Sequence, residues 1–189
     1  MRTKTLFVAA LFLTASLYSQ NWSLDKSHAK LGFTATHLMV SEVDGFFKTF
    51  DIKLTSTNAD FSDAVIEVTA DVNSIDTHSE QRDNHLKSPD YFDAAKYATI
   101  NFKSMVFKKV DEKNYKLQGN LTMHGVTRFI ELDVIFKGTA IHPYNKKTVA
   151  GFKITGLLKR KDFGIGTTTP ETIIGDEIQI LSNAEFIKD

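Results

Sequence analysis

The chain has 189 residues, 42% of them hydrophobic, so it is long and apolar enough for one domain with a sizeable core. Its 23 basic and 23 acidic residues balance, which argues against a nucleic-acid partner. It contains no cysteine, so disulfides, thiolate chemistry and lipid modification of a cysteine are excluded. The mature domain must therefore be held together by its core alone.

Residues 1–20 have the layout of a secretory signal peptide. A cationic start precedes the apolar run Leu6 to Leu13, and small polar residues follow it. The run is much shorter than the ~20 apolar residues that span a bilayer, so a membrane anchor is the weaker interpretation. We expect cleavage near Ser19 or Gln20, a mature domain over 21–189 without a transmembrane segment, and a periplasmic or secreted location.

Alternating apolar and polar residues predict about eight β-strands in the mature chain. Short links join nearly all of them in sequence, which favours antiparallel neighbours. Closure into a barrel would remove the two unpaired edges, so we predict an all-β, closed antiparallel barrel, with a flat β-sandwich as the alternative. The expected inward positions include Leu31, Phe46, Ile66, Ala70, Val106, Leu117, Gly119, Ile130, Gly156, Ile178 and Phe186.

The long interruption of this pattern, residues 72–102, contains a predicted helix. Thr77 and Glu80 have the spacing of a capping box, so the helix should start at about His78. Pro89 lacks an amide hydrogen and should end it, with a short turn after it. A helix this short cannot make its own core, so we expect it to pack beside or over an opening of the barrel.

Four charged residues near this helix and near the end of the chain are Arg82, Asp83, Arg160 and Asp162. Guanidinium groups pair with carboxylates in a bidentate manner, so the favoured interpretation is a network of salt bridges and caps that pins the helix to the rim. The alternative places one of them against the polar head of a ligand.

Fifteen Phe residues, many on inward strand faces, either fill a solid core or surround a slot. The slot is favoured if small inward residues leave space among the aromatic ones. Those small residues are Ala35, Ala70, Gly119 and Gly156.

The six His residues lack the spacing of a metal site, and the common catalytic motifs are missing from the sequence. We therefore predict no metal, no cofactor and no catalytic residue. The open alternatives are a lipid-modifying enzyme that uses His28, His37 or His85, and an envelope stress or interaction protein with a solid core.

An ordered series of residues runs across the mature chain. The series consists of Asp25, His28, Gly32-Phe33, His37, Gly45, Phe50, Ser74-Ile75-Asp76-Thr77, Arg82-Asp83, His85-Leu86, Ser88, Phe92, Gly119, Leu121, Gly125-Val126, Arg160, Asp162-Phe163-Gly164 and Gly175-Asp176. It resembles the YceI-like family of exported proteins. Two positions depart from the family pattern: Ala29 replaces a Ser, and Tyr91 replaces a Phe.

The resemblance implies a lipocalin-like barrel whose apolar tunnel holds a polyisoprenoid, an isoprenoid quinone or a similar lipid. The tail would contact inward apolar residues, and the polar head would lie near the tunnel mouth. We accordingly predict an exported lipid-binding or carrier protein that is not an enzyme, and a homodimer stays open. The predicted ligand contacts are Phe33, Ala35, His37, Phe50, Ile52, Leu86, Phe92, Phe102, Leu121, Phe152, Ile154, Leu158 and Phe163.

Overall fold

The computed structural model describes residues 20–189. The predicted signal peptide lies outside the described residues, except that Gln20 already begins the first strand. Within the described range there is no helix long and apolar enough to cross a membrane. The elements are β1 (Gln20–Leu24), β2 (Lys30–His37), β3 (Ser41–Phe47), β4 (Phe50–Ser56), β5 (Val65–Asp71), β6 (Ile75–Asp76), α1 (Glu80–Leu86), β7 (Thr99–Lys109), β8 (Asn114–Met123), β9 (Val126–Ile141), β10 (Thr148–Lys159) and β11 (Ile174–Lys188).

The eleven segments make eight antiparallel strands, because β1–β2, β3–β4 and β5–β6 are three strands that are each interrupted once. In each pair, the two segments pair with successive parts of the same neighbouring strand. The order then follows the chain, and β11 pairs with both β1 and β2. The sheet is therefore a closed eight-stranded barrel, and the predicted fold class is confirmed.

The two ends of the barrel differ. The β2–β3 turn, α1, the β8–β9 turn and the segment 160–173 lie at one end, which we call the helical end. The loops β4–β5, β7–β8 and β9–β10 lie at the opposite end.

Phe61 of the β4–β5 loop fills the opposite end. Its ring centroid lies 4.9 Å from that of Trp22, 5.2 Å from that of Phe136 and 5.1 Å from that of Phe152. Asp63 fastens this loop by accepting hydrogen bonds from Ser56 and Thr57. Burial raises the pKa of Asp63, but these hydrogen bonds outweigh it and hold that pKa below its usual range.

The strand phase at the β3–β4 junction differs from our prediction. Phe47 is buried and faces inward, whereas Phe46 faces outward with the Lys30 ammonium 3.9 Å from its ring centroid. The two residues 48 and 49 lie outside both segments and shift the alternation by one position. The prediction that Phe46 points inward was therefore wrong.

A second phase change occurs in β7. The register with β8 shifts between Ser104 and Val106, which is a β-bulge. Phe107 is buried as a result, while Val106 is exposed. The inward assignment of Val106 was therefore wrong.

Helix α1 starts two residues later than predicted. Ser79 is its N-cap and accepts from the Arg82 amide at 3.4 Å. The Thr77 amide and hydroxyl instead donate to the Asp83 carboxylate at 2.8 and 2.6 Å. The predicted stop is confirmed, because the helix ends at Leu86, ahead of Pro89.

Candidate ligand-binding cavity

A cavity of about 640 Å³ lies inside the barrel. All eight strands and α1 contribute to its wall, and most of the lining side chains are aliphatic or aromatic. The volume falls within the ~300–1,000 Å³ that is usual for small-molecule sites. A continuous void of this size contradicts the alternative of a solid core.

Eleven of the thirteen predicted ligand contacts line this cavity. Their position on the wall is observed, while their contact with a ligand stays a prediction. They are Phe33, Ala35, His37, Ile52, Leu86, Phe92, Phe102, Leu121, Phe152, Ile154 and Leu158.

The two predicted contacts that do not line the cavity are Phe50 and Phe163. Phe163 is buried in a 3-10 turn at the helical end, where its carbonyl lies 3.0 Å from His124 Nδ1. Phe50 begins β4 and packs between the two clusters of buried residues. Both side chains therefore pack among the buried residues without lining the cavity.

Only one of the four small residues that favoured a slot borders the void. Ala35 lines it, whereas Ala70 is 1% exposed and packs in a solid region beside the cavity. A Cβ on Gly119 would lie 2.3 Å from the backbone of β7, and one on Gly156 would lie 2.3 Å from the Leu132 side chain. These glycines make room for neighbouring protein atoms, so their predicted part in the slot was wrong.

The cavity opens at the helical end. Among its lining residues only Gln81, Arg82 and His85 of α1 and Ile173 before β11 are exposed. Most lining residues at the opposite end are buried, among them Leu54, Phe107 and Phe186, and Phe61 packs against Phe152 there. Helix α1 therefore lies at the mouth that residues 20–189 form, beside an opening as the sequence predicted.

The lining contains two arginines and no Asp or Glu. At the mouth, Arg82 donates from Nε to the Thr77 hydroxyl at 2.8 Å and from a terminal nitrogen to the Thr77 carbonyl at 2.5 Å. The predicted cap network is present, but Thr77 joins Arg82 to Asp83 in place of a direct salt bridge. Arg82, which is exposed and lines the cavity, therefore keeps N–H groups without a protein acceptor among the described residues.

The second arginine, Arg160, is only 4% exposed and has a different role. All five of its N–H groups donate to backbone carbonyls, and no carboxylate in 20–189 lies within ion-pair distance of it. The predicted carboxylate pairing was therefore wrong, and this guanidinium holds the segment that precedes β11 in place. The acceptors are Ile165, Gly166, Thr169, Ile174 and Gly175.

Ser182 of β11 is the most deeply placed polar group of the wall. It lies between Leu31 and Ile154 in the sheet, and its side chain borders the cavity. Its hydroxyl is buried and has no hydrogen-bond partner among the described residues. The wall thus contains one buried polar atom whose hydrogen bonding is unsatisfied among the described residues.

One grouping of acidic and imidazole side chains was missed by the sequence analysis. Ligand atoms of Asp25, His28 and Glu185 lie within 4.8 Å of one another on the outer surface, away from the cavity. Hydrogen bonds from Ser27 and His28 lower the pKa of Asp25 to about 2, and Asp25 in turn raises the pKa of His28. These hydrogen bonds, with Asp25 as the N-cap of a short 3-10 turn over Lys26–His28, account for the proximity of Asp25 and His28.

The histidines proposed for an enzyme are dispersed. His28 is on the outer surface, His37 lines the cavity near the helical end and His85 lies at the mouth. No carboxylate lines the cavity beside His37 or His85. The described residues therefore do not assemble an acid–base pair inside the cavity.

Comparison with known proteins gives a consistent result. The YceI-like domain model matches residues 22–186. A UPF0312 protein of Staphylococcus aureus strain MSSA476 is 36% identical over 170 residues, which are 88% of this chain and 96% of that protein.

Solved structures show the same barrel. The YCEI protein of Campylobacter jejuni matches with a TM-score of 0.75 and 31% identity, over 82% of this chain and 90% of that one. BcnA of Burkholderia cenocepacia matches with a TM-score of 0.76 and 22% identity, over 86% and 98%. A polyisoprenoid binding domain from Saccharophagus degradans matches with a TM-score of 0.63 and 15% identity, over 89% and 98%. The chain belongs to the YceI-like family.

Proposed function

We propose that this protein binds one long-chain amphiphile, such as a polyisoprenoid or an isoprenoid quinone, and carries it in the cell envelope. The observation that carries the proposal is the cavity of about 640 Å³, whose lining is mostly aliphatic and aromatic and which opens at the helical end. The polyisoprenoid binding domain from Saccharophagus degradans has the same fold, and we extend its ligand class to this chain. An exported location rests on the signal-like pattern of residues 1–20.

The polarity of the wall sets the direction in which an amphiphile would lie. The buried end offers aliphatic and aromatic side chains, so the tail belongs there. Burying each CH₂ contributes ~0.8 kcal/mol, so affinity should rise with chain length until the cavity is filled. The head would lie at the mouth, where Arg82 has free N–H groups and no lining carboxylate repels an oxygen-rich group.

A binding role agrees with this wall better than catalysis. Acid–base chemistry needs a titratable pair within hydrogen-bond distance of the reacting atoms. His37 has no acidic partner in the lining, and the Asp90 carboxylate, 3.9 Å from His85 Nε2, lies outside the lining. We therefore propose that the protein holds its ligand unchanged.

The test is to purify the exported protein from the envelope or culture medium and record its native mass before and after denaturation. We expect a mass increment that is lost on denaturation and that lipid extraction identifies as one class of isoprenoid amphiphile. Stripped protein should then take up isoprenols of increasing length with increasing affinity. A bare polypeptide mass, with no uptake from the series, would refute the proposal.

A further inference from the structure

The turn between β2 and β3 exposes three consecutive apolar side chains. Leu38 is 51% exposed, Met39 is 67% exposed and Val40 is 84% exposed. Turns are usually built from Gly, Pro, Asn, Asp and Ser, and exposed apolar residues normally occur singly. We call Leu38–Val40 the apolar tip.

The backbone holds the apolar tip in an unusual conformation. Leu38 and Met39 have φ values of 50° and 59°, in the left-handed region that non-glycine residues rarely adopt. The Leu38 amide donates to the Ile173 carbonyl at 2.9 Å, and the Val40 amide donates to the His37 carbonyl at 3.1 Å. These two hydrogen bonds stabilise the turn, in which all three side chains are exposed.

The apolar tip adjoins the cavity mouth. Ile173, which accepts the hydrogen bond from Leu38, is 43% exposed and lines the cavity. His37, the residue before the tip, also lines the cavity. Residues 31–41 contain no Asp, Glu, Lys or Arg. The tip therefore connects to the cavity through Ile173 and His37, neither of which is an Asp, Glu, Lys or Arg.

We propose that the apolar tip docks the mouth onto a lipid bilayer. Leu38, Met39 and Val40 would enter the boundary between head groups and acyl chains, where apolar side chains are removed from water. Docking would let the amphiphile pass between bilayer and cavity without crossing water. This transfer rests on the proposed function. The docking itself depends only on the tip.

The shape of the tip favours a bilayer over a protein partner. A specific protein interface usually buries ~800 Å² on each side, from some 20 to 30 residues. The tip is a narrow projection of three residues, which suits insertion into a soft layer. Because it carries no charge, the interaction should depend little on salt or on anionic lipid.

The test is flotation of the exported protein with phosphatidylcholine vesicles in low and in high salt. The variant L38S/M39S/V40S should partition at least tenfold more weakly than the wild type, because each substitution removes apolar area from the contact. The matched control V110S/I141S/Y144S changes three exposed apolar residues at the opposite end and should partition like the wild type. If the triple variant melts early, V40S alone gives the same comparison.

Several results would overturn the docking proposal. One is wild-type protein that stays in the soluble fraction. Another is equal partitioning of the tip and control variants. A third is a wild-type protein that is dimeric while the tip variant is monomeric, because the tip would then be a dimer contact. The native mass of the same samples shows whether they hold lipid, so it tests the carrier function separately from bilayer docking. Tip-dependent flotation of a protein that never carries lipid would refute the carrier function and leave docking supported.

Discussion

The substitution Ala35→Phe tests whether the void is a ligand site. Ala35 borders the cavity, and the sheet places Val43 and Ile178 beside it. A Phe at this position would direct its ring into the open space of the cavity, in the half nearer the helical end. The ring has about the size of one five-carbon isoprene unit.

The magnitude follows from the carbons that the ring displaces. Five carbons at ~0.8 kcal/mol each give about 4 kcal/mol as the upper limit of lost ligand burial. This limit corresponds to roughly a thousandfold in affinity, and repacking of the tail will recover part of it. We therefore expect the variant to bind the longest isoprenols between ~10-fold and ~1,000-fold more weakly, and short ones nearly normally.

The matched control is Ala70→Phe. Ala70 is 1% exposed and packs against Phe47 and Ile75 outside the cavity, so a ring there has no space to occupy. Overpacking of this kind costs ~1–3 kcal/mol of stability. Urea unfolding should thus show that A70F is destabilised and A35F is nearly unchanged. Isoprenol titration should show that A35F loses affinity and A70F nearly keeps it.

The reasoning would be refuted if A35F bound long isoprenols as tightly as the wild type. It would also be refuted if A35F lost as much stability as A70F, because the site around Ala35 would then be solid.

Three further predictions follow from single groups. Replacing Arg160 by Met removes the guanidinium donor from five carbonyls, of which those of Ile165 and Gly166 belong to buried residues, so urea unfolding should show a loss of ~3–5 kcal/mol. An unchanged midpoint would contradict the clamp. Ser182→Ala removes an unpaired buried hydroxyl and should raise the free energy of unfolding by ~1 kcal/mol, whereas a loss of stability would mean that the hydroxyl is bonded. Folding raises the pKa of His28. The contribution of His28 to the free energy of unfolding is therefore fully present below its ordinary pKa of 6.5, and it is lost as the pH rises through the pKa of the folded state. Folding lowers the pKa of Asp25 to about 2, so its contribution is present above 3.8 and is lost as pH falls toward 2. The NMR titration midpoint of His28 should lie above 6.5 and return toward it in D25N, and an equal midpoint in both proteins would refute the pairing.

Local patterns predicted most of the barrel because they report on local forces. Alternation showed which strand faces are apolar, and short links showed which strands are neighbours. The errors at Phe46 and Val106 occurred where an interruption and a bulge shift the phase. No Gly or Pro stands at residues 48 and 49 or at Ser104 to signal those shifts.

The helix and its charges were predicted less well because several local interactions compete for the same groups. Thr77 matched a capping box, yet Asp83 and Arg82 both bind it, and Ser79 takes the cap. Arg160 was expected to find a carboxylate and instead found carbonyls. Which acceptor a guanidinium meets depends on the path of the chain after it.

By itself, the sequence determined an all-β domain with about eight successive strands, a helix at one opening, and most of the residues that face inward. Only the tertiary structure decided that the interior is hollow, that it has one mouth, and that Leu38–Val40 lie beside it. The physical reason is that periodicity specifies the direction of a side chain but not the distance to the side chain across the barrel. That distance depends on closure, bulges and register together, and it separates a filled core from a cavity of about 640 Å³.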